Sequence, residues 1–360
     1  MDDNQKDTDI SEIYFVTMDN LDHYIEDDTL PQSDETIIER AQLDLRLARK
    51  EDIASKKRML YNNVFISLKK LDTNKDNFPY TLYLTASYER FTLDLHCNAK
   101  ELVESDIAKL DDFYNQLSKE NKDKCIPLYC LSLIQYTDYL MNNNDIENAV
   151  DIATKIITIG KGFDDDNTLL ARCKAYSTIG SLMFSIQNFD QAKAYMGEAL
   201  QCILKASDQC TGKTNLTATL AFNIGNVYFQ SNELDYAEKC FQRAINICRY
   251  EDFEDKFEIW QYASNYYAQL LVSRNQYKEA IEEYQKFIDE TSQYNDDYAI
   301  NRKSEFLYRI ALINYKFLND SDTALIYLNK AKDETAKAKD ENSIYGIKST
   351  IQELIDNLTK

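Results

Sequence analysis

Small residues recur at fixed distances from bulky ones along much of this 360-residue chain, and that recurrence limits its fold more than any other feature. In the stretch from Leu220 to Ala244, Leu220, Ile224 and Tyr228 fall on one face of a predicted helix, with Gly225 three residues before Tyr228. After a polar SNEL turn, Ala237 stands twelve residues beyond Gly225, and Phe241 and Ala244 follow at intervals of four and three. The second-helix triplet returns as Ala192, Met196 and Ala199, as Ala280, Tyr284 and Phe287, and as Ala324, Leu328 and Ala331. A weaker copy is Ala149, Ala153 and Ile156. Gly180 with Met183, Ala268 with Leu271, Leu312 with Tyr315, and Thr137 with Leu140 supply the preceding helices. The copies lie about 44 residues apart. A helix pair of this kind cannot bury its apolar face alone, so successive pairs must stack.

The spacing of Gly225, Tyr228, Ala237, Phe241 and Ala244 resembles the tetratricopeptide repeat (TPR), whose small residue on the first helix lets the second approach. The period exceeds the ~34 residues of the minimal repeat, and the unchanged spacing within each pair assigns the excess to longer helices and linkers. The resemblance implies an all-α fold: a right-handed, TPR-like superhelical solenoid. Seven glycines and three prolines suit long helices joined by short polar links rather than a turn-rich sheet protein.

The expected layout starts with a polar, disordered tail at 1–10 and an N-terminal helical bundle at 11–76. The bundle has a short helix over Ile13 to Ile25, a helix opened by Ser33-Asp34-Glu35 with the stripe Ile37, Ile38, Ala41, Leu45 and Ala48, and a third through Ile53, Leu60, Val64, Leu68 and Leu71. Residues 77–124 read as a degenerate repeat or connecting helix pair, ending in a solvated charged link at Glu120 to Lys124. Five TPR-like repeats cover 125–337. An amphipathic helix within 338–360 caps the stack, because terminal apolar surfaces need a cover.

The formal charge of -20 disfavours nucleic acid and anionic membranes and suits a basic partner face or a basic peptide. With no run of eighteen apolar residues and an acidic start, the sequence carries neither a spanning helix nor a secretory signal, and a cytoplasmic protein is expected. The eight cysteines form no CxxC pair and two histidines are too few for zinc, so reduced thiols in the helical core are predicted, with no metal and no cofactor. Gly212-Lys213-Thr214 has Ser207 where a phosphate loop needs its leading glycine. Asp164 to Asp166 reads as a solvated link, and Trp260, the single tryptophan, as a packed residue. No catalytic residue is assigned, and a non-catalytic protein is expected.

What remains is the inner side of the stack, which the first helices line in proteins of the resembling fold. Ile224 should pack inward, while Asn223 and Asn226 sit on or beside the groove side, offering amides to a ligand backbone. The same register places Asp138, Ser177, Ser181, Phe222, Phe229, Asn265, Gln269 and Arg309 there. Amides orient an extended peptide and aromatics bury its area. The chaperone-tail class of repeat domain clamps a terminal carboxylate with Lys and Arg; here those positions are largely Ser, Asn, Phe and Gln.

The segment Asn223 to Ile245 and the stretch YTLYLTASYERFTLDL, Tyr80 to Leu95, resemble the Rap family and, more broadly, the peptide-pheromone receptors of Gram-positive bacteria. The resemblance implies a solenoid that holds a short signalling peptide, contacts to it from Asn223 and Asn226, and an N-terminal bundle that engages a response regulator. Phosphatase members use a glutamine near the entry of the helix matching Tyr80 onward, where this chain has Asn74-Lys75-Asp76-Asn77. DNA-binding members carry a helix-turn-helix that residues 1 to 35 do not supply. The first expectation is therefore a regulatory adaptor binding a peptide or protein segment, with a response-regulator aspartyl-phosphate phosphatase and a scaffold subunit of a larger complex as alternatives.

Overall fold

Asparagine, not glycine, ends most of the first helices. Asn98, Asn144, Gln187, Asn232, Asn275 and Asn319 all adopt positive φ between 53° and 63°. At the first five, the next N–H reaches back five residues to a helix carbonyl: Ala99 to Asp94, Asp145 to Leu140, Asn188 to Met183, Glu233 to Tyr228 and Gln276 to Leu271, at 2.8–3.0 Å. A left-handed residue closed by this bond satisfies carbonyls that a helix end would otherwise leave bare, and asparagine tolerates the conformation better than most side chains. The steps between the six positions are 43 to 46 residues, so the turn repeats with the apolar pattern.

The computed structural model describes residues 33–359 apart from 74 and 76, and among these it is entirely α-helical with no strand. The helices expected at Ile13 to Ile25 and the tail at 1–10 lie outside the described residues. The chain divides into two compact units. One contains residues up to Ile179 with Lys205–Ser207, and the other Gly180–Leu204 with Asp208 onward.

In the first unit, α1 (Asp34–Ala48) and α2 (Ala54–Leu68) pack together and against α3 (Tyr80–His96). The Ser33 hydroxyl accepts the Thr36 N–H and caps α1; of its predicted stripe Ile37, Ala41, Leu45 and Ala48 are buried, while Ile38, on the neighbouring face, is half-buried. α4 (Lys100–Gln116) and α5 (Lys119–Asn142) cover α3, and α6 (Ile146–Ile159) pairs with α5. The charged link expected at Glu120 to Lys124 is instead the first turns of α5. Ser118 caps that helix at Asn121, Lys124 pairs with Glu120 at 3.5 Å, and Pro127 is accommodated in the helix interior. The domain boundary drawn at 124 thus falls within a helix.

Charge enters this unit's core. Arg58 of α2 donates to Asp94 of α3 at 2.9 and 3.1 Å, and Arg90 of α3 donates to Asp106 of α4 at 2.6 and 2.8 Å. Arg58 also lies 3.6 Å from Asp106. Arg90 donates further to the Asn62 amide oxygen at 2.8 Å and stands 4.4 Å over the Phe65 ring. All five polar residues are buried. Two arginines and two aspartates balance, so each charge faces an opposite one rather than water. The sequence pattern, read for apolar stripes, gives no hint of this cluster.

α7 (Asp166–Ser185) and α8 (Phe189–Lys205) each cross the division between units. In the second unit, α9 (Lys213–Gln230) and α10 (Leu234–Tyr250), α11 (Lys256–Ser273) and α12 (Tyr277–Glu290), and α13 (Asp297–Lys316) and α14 (Ser321–Thr335) are the successive pairs, and α15 (Glu341–Leu358) packs on α13 and α14. Each pair stacks on the next, so the unit is a solenoid-like arrangement of helices. Ala237, Phe241 and Ala244 are fully buried, as are Ala280, Ala324, Leu328 and Ala331. A Cβ added to Gly225 would meet the Phe241 ring at 2.7 Å, and one added to Gly180 would meet Met196 Cγ at 2.8 Å. The predicted contact between a small first-helix residue and a bulky second-helix one is therefore made. Trp260 is buried among Ala263, Phe287 and Phe306, and five of the eight cysteines are buried, with Cys97, Cys210 and Cys240 half-buried.

Candidate functional site

The first helices of the second unit lie side by side, α9 against α11 and α11 against α13. Their apolar faces point into the stack, where Ile224 packs in one cluster with Val227 and with Ala192 and Met196 of the preceding helix α8. The residues left on the other side form one tier per helix. Thr219, Phe222, Asn223 and Asn226 of α9 recur 43 residues on as Tyr262, Asn265, Tyr266 and Gln269 of α11, and again as Glu305, Tyr308, Arg309 and Leu312 of α13. None of these twelve is fully buried.

Aromatic rings floor the α9–α11 part. Phe222 stacks on Tyr262 at 5.8 Å and meets Tyr266 edge-on at 5.5 Å, and Phe229 meets Tyr266 at 6.2 Å. Phe241 of α10 lies beneath, 6.0 Å from Tyr266. Tyr262 keeps 40% of its surface exposed, so the ring cluster reaches solvent at that edge. Phe222 and Phe229 thus serve both the core and the face.

The amides fall into two groups. Asn223 and Gln269 form no side-chain hydrogen bond among the described residues, and the Asn226 Oδ1 is buried with no donor. A buried acceptor without a partner costs on the order of 1–3 kcal/mol, and the Asn226 Oδ1 meets no donor among the described residues. Asn265, by contrast, accepts from the Tyr284 hydroxyl at 3.1 Å. Arg309 donates to Glu305 at 2.7 and 3.2 Å and also pairs with Tyr284, whose hydroxyl burial pushes well above the usual phenol range. Asn265 and Arg309 are therefore tied to one buried tyrosine.

The other predicted positions lie apart from these. Asp138 and Ser177 belong to the first unit and Ser181 to the second. Asp138 is exposed and 3.9 Å from Lys174; its carboxyl is shifted upward by desolvation, with the Lys174 charge opposing. Ser177 is half-buried and Ser181 exposed, and neither side chain has a hydrogen bond among the described residues.

Tyr262, Tyr266, Glu305 and Arg302 were not singled out from the sequence. Stepping 43 residues from Thr219 and Asn223 finds the two tyrosines, and from Tyr262 finds Glu305. Arg302, one turn before Glu305, has no such marker. Among the described residues no group of three or more His, Cys, Asp or Glu is placed to hold a metal ion, and no helix is long and apolar enough to cross a membrane.

The tetratricopeptide-repeat family model matches residues 218–250, which hold most of α9 and all of α10. The fold is tetratricopeptide-repeat-like. No curated protein matches the chain. Among solved structures, the apo form of RapI is similar at a TM-score of 0.52 and 15% identity, over 76% of this chain and 72% of that one. NprR in complex with its cognate peptide NprX gives a TM-score of 0.39 and 16% identity, over 89% and 82%. A signal-transduction ATPase with a tetratricopeptide-repeat sensor, from Pyrococcus horikoshii, gives 0.46 and 13%, over 98% and 53%. At 15% identity the likeness to RapI is one of fold.

Proposed function

We propose that the face built by α9 and α11 binds an extended peptide or protein segment and that the protein is a regulatory adaptor without chemistry of its own. The observation that carries this reading is the buried, donorless Oδ1 of Asn226, set beside the unengaged amides of Asn223 and Gln269 and the partly exposed rings of Phe222 and Tyr262. An extended backbone supplies N–H and C=O groups at regular intervals, which amides can meet whatever the side chains are. The rings offer area to one apolar side chain between those bonds. Ser181, in the same unit, is proposed to meet a further segment of the ligand, while Asp138 and Ser177 belong to the first unit and are not part of this face. Response to a signalling peptide in the cytoplasm, where the eight cysteines stay thiols, is the role that fits such a face.

The test is retention of a labelled pool of random heptapeptides on the immobilised full chain, followed by calorimetry on the best-retained sequence. Asn226→Ala should weaken that affinity roughly ten-fold, the worth of one well-placed hydrogen bond in a desolvated site. Helicity should be unchanged and the melting temperature equal or higher, because the substitution removes an unsatisfied acceptor. Unchanged affinity in Asn223→Ala and Asn226→Ala, or no retained peptide, would count against the reading.

A further inference from the structure

We infer that the peptide bound on this face carries an acidic side chain, received between Arg302 and Arg309 of α13. This rests on the peptide reading above and adds the chemistry of the ligand. The observation is an unequal sharing of charge. Glu305 Oε2 accepts from Arg302 at 2.8 Å, and Glu305 Oε1 accepts from Arg309 at 2.7 and 3.2 Å, so one carboxylate serves two guanidiniums. Both arginines keep about a third of their side-chain surface in solvent, 33% and 34%, so the surplus positive charge is reachable. Each is also braced: Arg302 lies 5.2 Å over the Tyr298 ring, and Arg309 is tied to Tyr284. Guanidiniums held in place by neighbours lose little freedom on meeting a second carboxylate, which they bind in forked geometry.

The tiers beside them set the polarity of the guest. From Thr219 to Asn226 on α9 and from Tyr262 to Gln269 on α11 the tier residues carry no charge, while one turn earlier α11 carries the acid Glu258, 43 residues beyond Asn215, so positive charge is confined to the α13 end. Other acids act on the flanking tyrosines, Glu258 on Tyr298, Glu353 on Tyr308 and Glu283 on Tyr284, but the ion pairs of Arg302 and Arg309 are both with Glu305. α15 packs on α13, so the stack does not end at α13 and the guest need not end there. An internal Asp or Glu fits that continuity better than a chain terminus. The net charge of -20 points toward a basic guest, but a contact at this range is decided by the two guanidiniums rather than by distant screened charges.

The experiment uses three pools of N-acetylated, C-amidated heptapeptides, with Glu, Gln or Lys fixed at one central position and the rest random, retained on the full chain. Wild type should retain the Glu pool at least about five-fold over the Gln pool, the scale of one charge-assisted contact in a half-exposed site. Glu305→Gln removes the internal competitor at constant size and should widen that ratio, and Arg302→Gln with Arg309→Gln should abolish it. If the arginine variant does not fold, Glu305→Gln decides. Equal retention of the Glu and Gln pools, preference for Lys, or a ratio unmoved or narrowed by Glu305→Gln overturns the inference while leaving the peptide reading intact. Retention of no pool at all overturns both.

Discussion

Helices α2 to α4 of the first unit and the pair α9–α10 of the second are held together by opposite means. The former close around four buried charges from three helices, Arg58, Asp94, Arg90 and Asp106. The latter close by fitting a ring against a glycine, Phe241 on Gly225. A charge cluster specifies one arrangement because every alternative leaves an ion unpaired, whereas glycine-to-ring packing specifies a distance and can be repeated along a chain. The largest effect should come from breaking the first. Arg90→Ala or Asp106→Ala should each cost about 3–5 kcal/mol of local stability, since a partner ion is left buried alone. Replacing all four with apolar residues of similar volume should cost far less than either single change. A stack of repeats need not unfold in one step, so amide hydrogen exchange across α2, α3 and α4 is the suitable measurement. Losses below about 1 kcal/mol in both single variants would show that the cluster is not what holds these helices.

Next in size is Gly225→Ala. The added Cβ would stand 2.7 Å from the Phe241 ring, a rigid neighbour flanked by Phe222 and Tyr266. Overpacking of this kind costs about 1–3 kcal/mol, which exceeds the ~1 kcal/mol that alanine gains over glycine in a helix. Trp260, the only tryptophan, is buried in the same unit, so its fluorescence during denaturation reports the loss. A midpoint equal to or above that of the wild type would remove the contact from the account of the fold.

The two regions also differ in how far they can be read from the chain. Ala237, Phe241 and Ala244 lie close in sequence and recur, so their burial follows from spacing alone. The turn asparagines recur with them, and NNND at Asn142 to Asp145 or SNEL at Ser231 to Leu234 mark the helix ends without glycine. Arg58, Asp94 and Asp106 belong to three helices, and each reads locally as a surface charge. Only the tertiary contact shows them buried. The candidate face was half legible. Register placed Phe222, Asn223 and Asn226 together, but not the engagement of Asn265 and Arg309 by Tyr284, whose own position is marked as core.

Acidity separates the regions again. Burial raises the Asp94 carboxyl from 3.8 to about 6, against the pull of its hydrogen bonds and ion pair with Arg58, with Asp106 adding to the rise and Arg90 opposing it. Between those two values the folded state holds the proton more tightly than the unfolded chain. Stability of α2 to α4 from this group therefore falls as pH rises from about 4 to about 6 and levels off above it, by at most about 1.4 kcal/mol per pH unit. Exchange protection followed over that range should show the decline in the wild type, and Asp94→Asn should flatten it. A slope of the opposite sign, or one that survives in Asp94→Asn, would mean that other carboxylates govern the region.

The smallest effect tests whether distance to a neighbour decides what a glycine does in these helices. Gly197 of α8 has nothing within 4 Å of an added Cβ, Gly180 meets Met196 Cγ at 2.8 Å, and Gly225 meets a ring. Alanine at each gains the same helix propensity, so their differences isolate the contact. Gly197→Ala should stabilise by about 0.5–1 kcal/mol. Gly180→Ala should fall between the other two, since the contact is with Cγ of a buried methionine, whose unbranched chain adjusts more readily than a packed ring. Denaturation of the three variants side by side should give the order 197, 180, 225 from gain to loss. If Gly180→Ala lost as much as Gly225→Ala, methionine would be as fixed as phenylalanine at this contact, and the two copies of the repeat would be equivalent in packing as well as in spacing.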